Sequence, residues 1–143
     1  MGDWNERYLS MAALVASWSK DPSTQVGAVI TRPNNTVVSV GYNGFARGVD
    51  DSPDRLADRD VKLACTIHAE MNAILNAREG LDGCTIFVTH PPCGNCAASI
   101  INVGIREVKY KRPNQDLLSR WGESIGRALG MFREAGVKVS SLA

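Results

Sequence analysis

Two short motifs place the strongest constraint on what this chain can fold into, because together they hold the ligands for one metal ion. They are His68-Ala69-Glu70 and Pro92-Cys93-Gly94-Asn95-Cys96. We predict that each motif begins a helix. Cys93 and Cys96 then present both sulfurs on one helix face, and the helix N-terminus favours thiolate over thiol. Since imidazole and thiolate are typical zinc ligands, the fold must bring these two helix starts together.

His68, Cys93 and Cys96 are predicted as the zinc ligands. Three protein ligands leave the fourth tetrahedral position for water, which is typical of a catalytic rather than a structural zinc site. Zinc lowers the pKa of such a water toward about 7. Glu70 lies two residues from His68 and is predicted as the catalytic group that takes the water proton and delivers it to the substrate.

Cys65 suggests a different arrangement of the metal site. With His68 it forms a Cys-x-x-His pair, which together with the cysteine pair of the second motif would make a four-ligand structural site. We favour the three-ligand site because the four-ligand site leaves Glu70 without a role. Cys65 and Cys84 are instead predicted in the buried core, and His90 in a loop near the mouth of the site.

Composition and charge argue against several classes of protein. The 143 residues suit a single domain, 1–143, with 44% apolar residues and a net charge of +1. A net charge close to zero gives no indication of the clustered basic surface that binding to nucleic acid requires. The start of the chain has no apolar secretory segment, and no stretch approaches the roughly 18–20 apolar residues of a membrane span. We therefore expect a cytoplasmic protein without a membrane partner, whose cysteines serve a metal rather than disulfides.

Periodicity along the chain predicts alternating helices and strands. Helices are predicted from Asp3 with Asp21-Pro22 as the stop, over 70–78 with Gly80 as the stop, over 94–102, and from Asn114 to Gly136. Strands are predicted over 26–30, 36–42, 84–89, 105–110 and 137–139, the first two as a hairpin. The segment 44–66 is predicted as an irregular loop with a short helix. Strands joined by helices imply a mixed α/β sheet covered on both faces.

Two of the predicted helices carry apolar stripes that are expected to face the core. The stripe of the first helix consists of Trp4, Tyr8, Met11, Ala12, Val15 and Trp18. The stripe of the last helix consists of Leu118, Trp121, Ile125, Leu129 and Phe132.

Taken together, the motifs resemble the deoxycytidylate (dCMP) deaminase family, from about Trp4 to Val139. The His-x-Glu and Pro-Cys-x-x-Cys spacing is typical of zinc nucleobase deaminases in general. The segment 41–45, Gly-Tyr-Asn-Gly-Phe, is narrower and is similar to dCMP deaminases, as is the segment 21–28. The resemblance implies a three-layer α/β/α fold around a mixed five-stranded sheet. It also implies hydrolysis of dCMP to dUMP and ammonia in pyrimidine deoxynucleotide biosynthesis, as a source of the dTMP precursor.

The resemblance further implies how the reacting base is held. A hydroxide formed at the zinc attacks C4 of cytosine, while Glu70 protonates N3 and then the departing amine. The backbone N–H of Ala69 contacts the base carbonyl. Asn43 binds the deoxyribose and orients the nucleoside.

Contacts to the 5′-phosphate are implied around Ser23 and Thr24 and near Tyr110, whose ring is also expected to stack on the pyrimidine. An arginine fork suits a phosphate better than a lysine does. Each basic side chain is, by default, a solvated surface charge. The basic partner of the phosphate is therefore left open among Lys20, Arg47, Lys109, Lys111 and Arg112.

Regulation and assembly are implied by the same resemblance. Many relatives are homohexamers that dCTP activates and dTTP inhibits, and Mg²⁺ would accompany such a triphosphate. Their effector site corresponds to Gly41, Tyr42, Asn43 and Gly44 in this chain. No second zinc is expected in the loop that follows, and the exposed side of 117–135 and the loop 44–66 are the predicted subunit contacts.

Four alternatives share some of these features. A tRNA adenosine deaminase has the same zinc motif but must bind a polyanion. A free-nucleoside cytidine deaminase would lack the dCMP-like N-terminal segment. A bifunctional dCMP/dCTP deaminase fits the motifs equally well, whereas a binding protein with a structural zinc would not need Glu70.

Overall fold

The computed structural model describes residues 2–143. Its helices are α1 (Gly2–Ala16), α2 (Pro53–Ala57), α3 (Arg59–Cys65), α4 (Ala69–Asn76), α5 (Gly94–Asn102) and α6 (Gln115–Ala135). Its strands are β1 (Gly27–Thr31), β2 (Val37–Tyr42), β3 (Gly44–Phe45), β4 (Thr66–Ile67), β5 (Thr85–Val88), β6 (Glu107–Lys111) and β7 (Lys138–Leu142). No helix within these residues combines the length and the apolarity that crossing a membrane requires.

The main sheet has five strands in the order β2-β1-β5-β6-β7. Strand β1 runs antiparallel to both β2 and β5, whereas β5, β6 and β7 are mutually parallel. Strands β3 and β4 form a separate antiparallel pair. The predicted mixed five-stranded sheet is confirmed.

Helices cover both faces of this sheet because successive strand residues point to opposite sides. Val29 and Phe87 pack against Tyr8 of α1 on one face. Ile30 and Ile86 face the other way and join the larger core that α4, α5 and α6 complete. The predicted three-layer α/β/α fold is therefore confirmed.

The strand directions bring several loops to one edge of the sheet. Ala28, near the start of β1, pairs with Val88 at the end of β5, and Val88 pairs with Tyr110 of β6. Tyr42, at the end of β2, pairs with Gly27. The turn 19–26, the segment 42–44 and the loops that follow β5 and β6 therefore meet at the same edge. In open α/β sheets this kind of edge is where ligands bind.

Helix α4 lies unusually close to β2, and Gly41 is the reason. A Cβ atom at Gly41 would lie 2.3 Å from the Ala73 nitrogen and 2.5 Å from the Ala69 carbonyl oxygen. Asn72 and Asn76 of α4 donate hydrogen bonds to carbonyl oxygens of β2 at 2.8 and 3.0 Å. These contacts fix the start of α4 against the sheet.

The ends of α4 and α1 differ from the prediction. Helix α4 stops at Asn76, and its C-terminal cap, Ala77, has extended backbone with φ −68° and ψ 141°. Gly80 therefore does not end it. Helix α1 ends at Ala16, so Trp18 lies beyond the helix and is 51% exposed, and Trp4 is also exposed.

The apolar stripe of α6 is buried only in its second half. Ile125 and Phe132 lie in the core, whereas Leu118 and Trp121 remain exposed. The helix itself was predicted correctly from its caps. The Asn114 side chain accepts the Leu117 N–H at 2.8 Å, and Gly136 adopts the left-handed φ of 76°.

Two other segments differ in part from the prediction. The segment 44–66 contains two short helices and two short strands rather than an irregular loop with one helix. The last strand extends to Leu142, beyond the predicted 137–139. Helix α5, by contrast, has the predicted bounds.

We expect Gly41→Ala to lower the free energy of unfolding by at least about 2 kcal/mol, because overpacking against a backbone cannot be relieved by side-chain rotation. The same shift of α4 should weaken zinc binding. Gly80→Ala is the matched control, since its Cβ would meet nothing within 4 Å. Chemical denaturation and zinc content of both variants test this, and equal stability of the two would contradict it.

Candidate metal centre and active site

The two predicted ligand motifs both stand at helix N-termini. His68 is the N-terminal cap of α4, and Cys93 is the N-terminal cap of α5. Cys96 lies in the first turn of α5 and is buried, as are Ala97 and Ile100 on the same helix. Packing of α4 and α5 on one face of the sheet therefore sets the relative position of the three ligand atoms.

The three side chains converge on one point. His68 Nδ1 lies 3.3 Å from the Cys96 sulfur and 3.5 Å from the Cys93 sulfur. All three ligand atoms lie within 4.8 Å of one another. A tetrahedral zinc with normal Zn–N and Zn–S bonds separates nitrogen from sulfur by about 3.6 Å. The donor types and their spacing fit a zinc ion.

The neighbouring groups favour the thiolate form of Cys93 and the thiol form of Cys96. A hydrogen bond from Cys96 lowers the pKa of Cys93 to about 4, with further help from His68 and the Cys96 backbone N–H. The hydrogen bond to Cys93 in turn raises the pKa of Cys96, as does burial. Because ligation by both sulfurs requires both to be thiolates, binding of a divalent cation is coupled to loss of the Cys96 proton.

Glu70 is a buried carboxyl beside the ligand group, only 4% exposed in the first turn of α4. Burial raises the pKa of Glu70 to about 7, against the opposing effects of its own backbone N–H and of His68. A carboxyl group that titrates near neutral pH is suited to both accepting and donating a proton.

Cys65 does not belong to the ligand group. Among the described residues, the one group of side chains placed to hold a metal consists of His68, Cys93 and Cys96. This arrangement supports the three-ligand site over the four-ligand alternative. Cys84 is buried as predicted, but Cys65 is only partly buried at the end of α3, so its predicted place in the core is wrong.

A groove of about 930 Å³ lies at the sheet edge where the loops meet. It runs between α1, the turn 19–26 and the start of α6. Thr89 and His90, which come shortly before Cys93 in the chain, line the groove, whereas His68, Glu70, Cys93 and Cys96 do not. Its polar lining also includes Ser23, Thr24, Lys111, Arg112 and Arg120.

Asn43 is buried and holds the turn that carries Ser23 and Thr24 to this groove, although it does not itself line the groove. Its Oδ1 accepts the Val26 N–H at 2.8 Å, and its Nδ2 donates to the Thr24 carbonyl at 2.8 Å. A carboxamide can accept and donate one further hydrogen bond each. The Asn43 side chain thus supports the turn while keeping capacity for another partner.

A second, smaller cavity of about 140 Å³ lies on the other side of that turn. Tyr42, Asn43 and Gly44 line it, and the Trp18 and Tyr42 rings meet edge to face with centroids 6.2 Å apart. Gly41 does not line this cavity. Gly41 is one of the four predicted effector residues, but in the structure it lies at the contact between β2 and α4.

Several predicted phosphate contacts lie elsewhere. Tyr110 is buried in the core beneath α4, α5 and α6 and does not line the groove. Lys109 points to the opposite face of the sheet, where its Nζ donates to Asn5 Oδ1 at 2.7 Å. Lys20 pairs with Asp51 beside the smaller cavity. The candidates that share the groove with Ser23 and Thr24 are Lys111 and Arg112.

The sequence reasoning missed Arg120 in the groove. The sequence does contain an indication that Arg120 lies there. The predicted start of α6 at Asn114 follows Lys111 and Arg112 directly, which places the first turns of that helix at the same sheet edge. The ion pair of Asp21 with Lys62 was also missed, since the two residues are far apart in the chain.

A family model described as the cytidine and deoxycytidylate deaminase zinc-binding region matches residues 2–112. The chain belongs to this deaminase family. The resemblance to dCMP deaminases is thereby confirmed, as is the prediction that the chain is a deaminase enzyme.

Among relatives of this deaminase, the protein called "Uncharacterized deaminase in luxG 3'region" of Aliivibrio fischeri is 55% identical over 139 residues. That alignment covers 97% of this chain and 93% of the relative. The deoxycytidylate deaminase of Homo sapiens is 41% identical over 114 residues, covering 76% of this chain and 64% of that enzyme. This chain therefore spans just under two thirds of the human enzyme.

A solved structure supports the same fold. The dCMP deaminase of the cyanophage S-TIM5, crystallised with dCMP and dUMP, superposes with a TM-score of 0.78 at 23% identity. The match covers 99% of this chain and 98% of that chain.

We expect Cys93→Ser to weaken zinc affinity by at least about 100-fold and to lower the unfolding midpoint, because metal binding is coupled to folding. Cys65→Ser is the matched control and should retain zinc. Metal content per chain, measured after dialysis, distinguishes the two. Loss of zinc from Cys65→Ser would instead support the four-ligand site.

Proposed function

We propose that this deaminase converts dCMP and water to dUMP and ammonia. The observation that carries the proposal is the buried Glu70 carboxyl beside the three-ligand group of His68, Cys93 and Cys96. A groove with basic side chains lies at the sheet edge where the loops meet. The similarity to the human deoxycytidylate deaminase supports dCMP as the substrate. Its place would be the supply of the dTMP precursor in pyrimidine deoxynucleotide biosynthesis, in the cytoplasm.

The protein's residues divide the chemistry between them. His68, Cys93 and Cys96 would hold the zinc, which supplies a water-derived nucleophile at neutral pH. Glu70 takes the proton of that nucleophile and delivers it to N3 of cytosine as C4 becomes tetrahedral. Glu70 would then take the proton of the new C4 hydroxyl and pass it to the C4 amine, so that the C–N bond breaks, ammonia leaves and the C4 carbonyl of dUMP forms.

Groups at the helix start and the sheet edge would orient the nucleotide. The N–H of Ala69, the first residue of α4, has no partner within the helix and would bind the base carbonyl. Asn43 would offer its remaining hydrogen-bonding capacity to the deoxyribose. Tyr110 stays a weaker candidate for stacking, because its ring is buried in the core.

The 5′-phosphate would lie in the groove near Ser23 and Thr24. Lys111 and Arg112 line the same groove and are exposed. A phosphate there would form charge-assisted hydrogen bonds, which are roughly twice as strong as neutral ones. This placement favours Arg112 and Lys111 over the three other basic candidates.

Regulation and assembly are proposed on the family resemblance. The smaller cavity, with Tyr42, Asn43 and Gly44, would take a dCTP or dTTP effector with Mg²⁺. A homohexamer is the proposed assembly. The open volume of the groove also keeps a bifunctional dCMP/dCTP deaminase as the alternative substrate range.

Glu70→Gln is expected to retain zinc and fold while reducing kcat for dCMP by at least about 100-fold, because it removes the proton-transfer group. Glu134→Gln, a change of an exposed carboxylate, is the control and should leave kcat within about twofold. Ammonia release and zinc content measure both effects. Full activity of zinc-loaded Glu70→Gln would refute the assigned role.

Arg112→Ala should raise KM for dCMP by about tenfold, which corresponds to the loss of one hydrogen bond to a charged group. Deoxycytidine, which has no phosphate, should show unchanged kcat/KM. Arg78→Ala removes an exposed arginine outside the groove and serves as the control. An equal effect of Arg112→Ala on both substrates would show that Arg112 does not bind the phosphate.

A further inference from the structure

The turn 19–26, which carries Ser23 and Thr24 to the groove, is shaped by side-chain hydrogen bonds rather than by helix or sheet. Asp21 Oδ1 accepts the N–H groups of Ser23 and Thr24 at 2.8 and 3.0 Å. Ser19 Oγ donates to the Asn43 carbonyl at 2.7 Å and so anchors the start of the turn. The orientation of Ser23 and Thr24 therefore depends on the Asp21 carboxylate.

Lys62 of α3 reaches the same carboxylate from a distant part of the chain. Its Nζ lies 3.3 Å from Asp21 Oδ1, the oxygen that also accepts the two turn N–H groups. The two side chains are only 19% and 11% exposed, unlike Lys20 and Asp51, which are 69% and 40% exposed. A shielded pair of this kind depends strongly on both partners, because removal of one leaves the other charge poorly solvated.

The charge of Asp21 is stable at neutral pH. Burial raises its pKa, but the N–H groups of Thr24 and Ser23, together with Lys62, outweigh that effect and hold the pKa below its usual value. The turn therefore contains a permanent negative charge next to two residues that line the proposed phosphate site. An unneutralised carboxylate in that position repels a phosphate.

Lys62 also lies on the element that leads to the metal centre. Helix α3 ends at Cys65, strand β4 follows, and His68 comes next. Strand β4 pairs with β3, which continues directly from the segment 42–44. The lysine thus joins the segment before the zinc ligand to the turn that borders the groove.

We propose that Lys62 is a positioning residue that selects for 5′-phosphorylated substrates. By neutralising Asp21 and fixing its carboxylate, it holds the Ser23–Thr24 turn in the form that accepts a phosphate. The proposal rests on the proposed function. A purely structural ion pair would contribute to stability without any effect on the choice between nucleotide and nucleoside.

The first test compares dCMP with deoxycytidine in the zinc-loaded protein. Lys62→Met should raise KM for dCMP by about tenfold, as expected for losing a charged hydrogen-bonding partner, and leave kcat/KM for deoxycytidine unchanged. Lys62→Arg should restore most of the dCMP affinity. Arg32→Met, which breaks the remote and exposed pair with Glu79, is the control. Equal losses for both substrates, or a change in stability alone, would overturn the proposal.

A double-mutant cycle tests whether Lys62 acts through Asp21. Asp21→Asn keeps an oxygen for the turn N–H groups but removes the charge. The double variant Asp21→Asn with Lys62→Met should therefore have a lower KM for dCMP than Lys62→Met alone. Additive losses in the double variant would contradict action through Asp21.

A measurement that does not depend on catalysis distinguishes a failure of this proposal from a failure of the proposed function. Amide hydrogen exchange at Ser23 and Thr24 should be at least about tenfold faster in Lys62→Met than in wild type, because the accepting carboxylate is no longer fixed. Exchange in Arg32→Met should match wild type at these amides. If wild type deaminates no cytosine compound, the proposed function fails while exchange still decides the positioning role. Unchanged exchange at these amides in Lys62→Met would refute the positioning role of Lys62.

Discussion

The close contact between α4 and β2 is the constraint on which the site depends. Gly41 leaves no room for a side chain between the strand and the helix backbone, so α4 lies directly on the sheet. Because His68 caps this helix and Glu70 lies in its first turn, both are fixed by the same contact. The packing of α5 beside α4 then places Cys93 within hydrogen-bonding distance of His68. The three candidate zinc ligands and the buried Glu70 carboxyl thus share one rigid support.

The sheet topology also forms the groove, which the proposed function assigns to the phosphate end of the nucleotide. The antiparallel strand β1 turns the 19–26 segment toward the ends of β5 and β6, and the groove forms where these loops meet. Two chemically different regions result. The metal centre has a buried carboxyl and thiols, whereas the groove has exposed cations and hydroxyl groups. This separation is suited to a substrate with a reactive base at one end and a phosphate at the other.

Sequence reasoning succeeded where local chemistry decides the structure. Single residues were enough to predict both caps of α6, which are Asn114 and Gly136. Short spacings were enough to predict the ligand motifs. It failed where tertiary contacts decide. Helix α4 ends before Gly80 although the local pattern continues, and Trp121 has the right spacing for a core residue but stays exposed. Pairing of Lys62 with Asp21 could not be predicted, because no local pattern relates them.

The most direct test of the account is ammonia release by the zinc-loaded protein with dCMP, dCTP, deoxycytidine and a tRNA adenosine stem-loop measured side by side. We predict that kcat/KM is highest for dCMP and that the adenosine stem-loop is not deaminated. Comparable turnover of dCTP would widen the substrate range to the bifunctional type. Absence of turnover with every cytosine compound, in protein shown to contain one zinc per chain, would contradict the account.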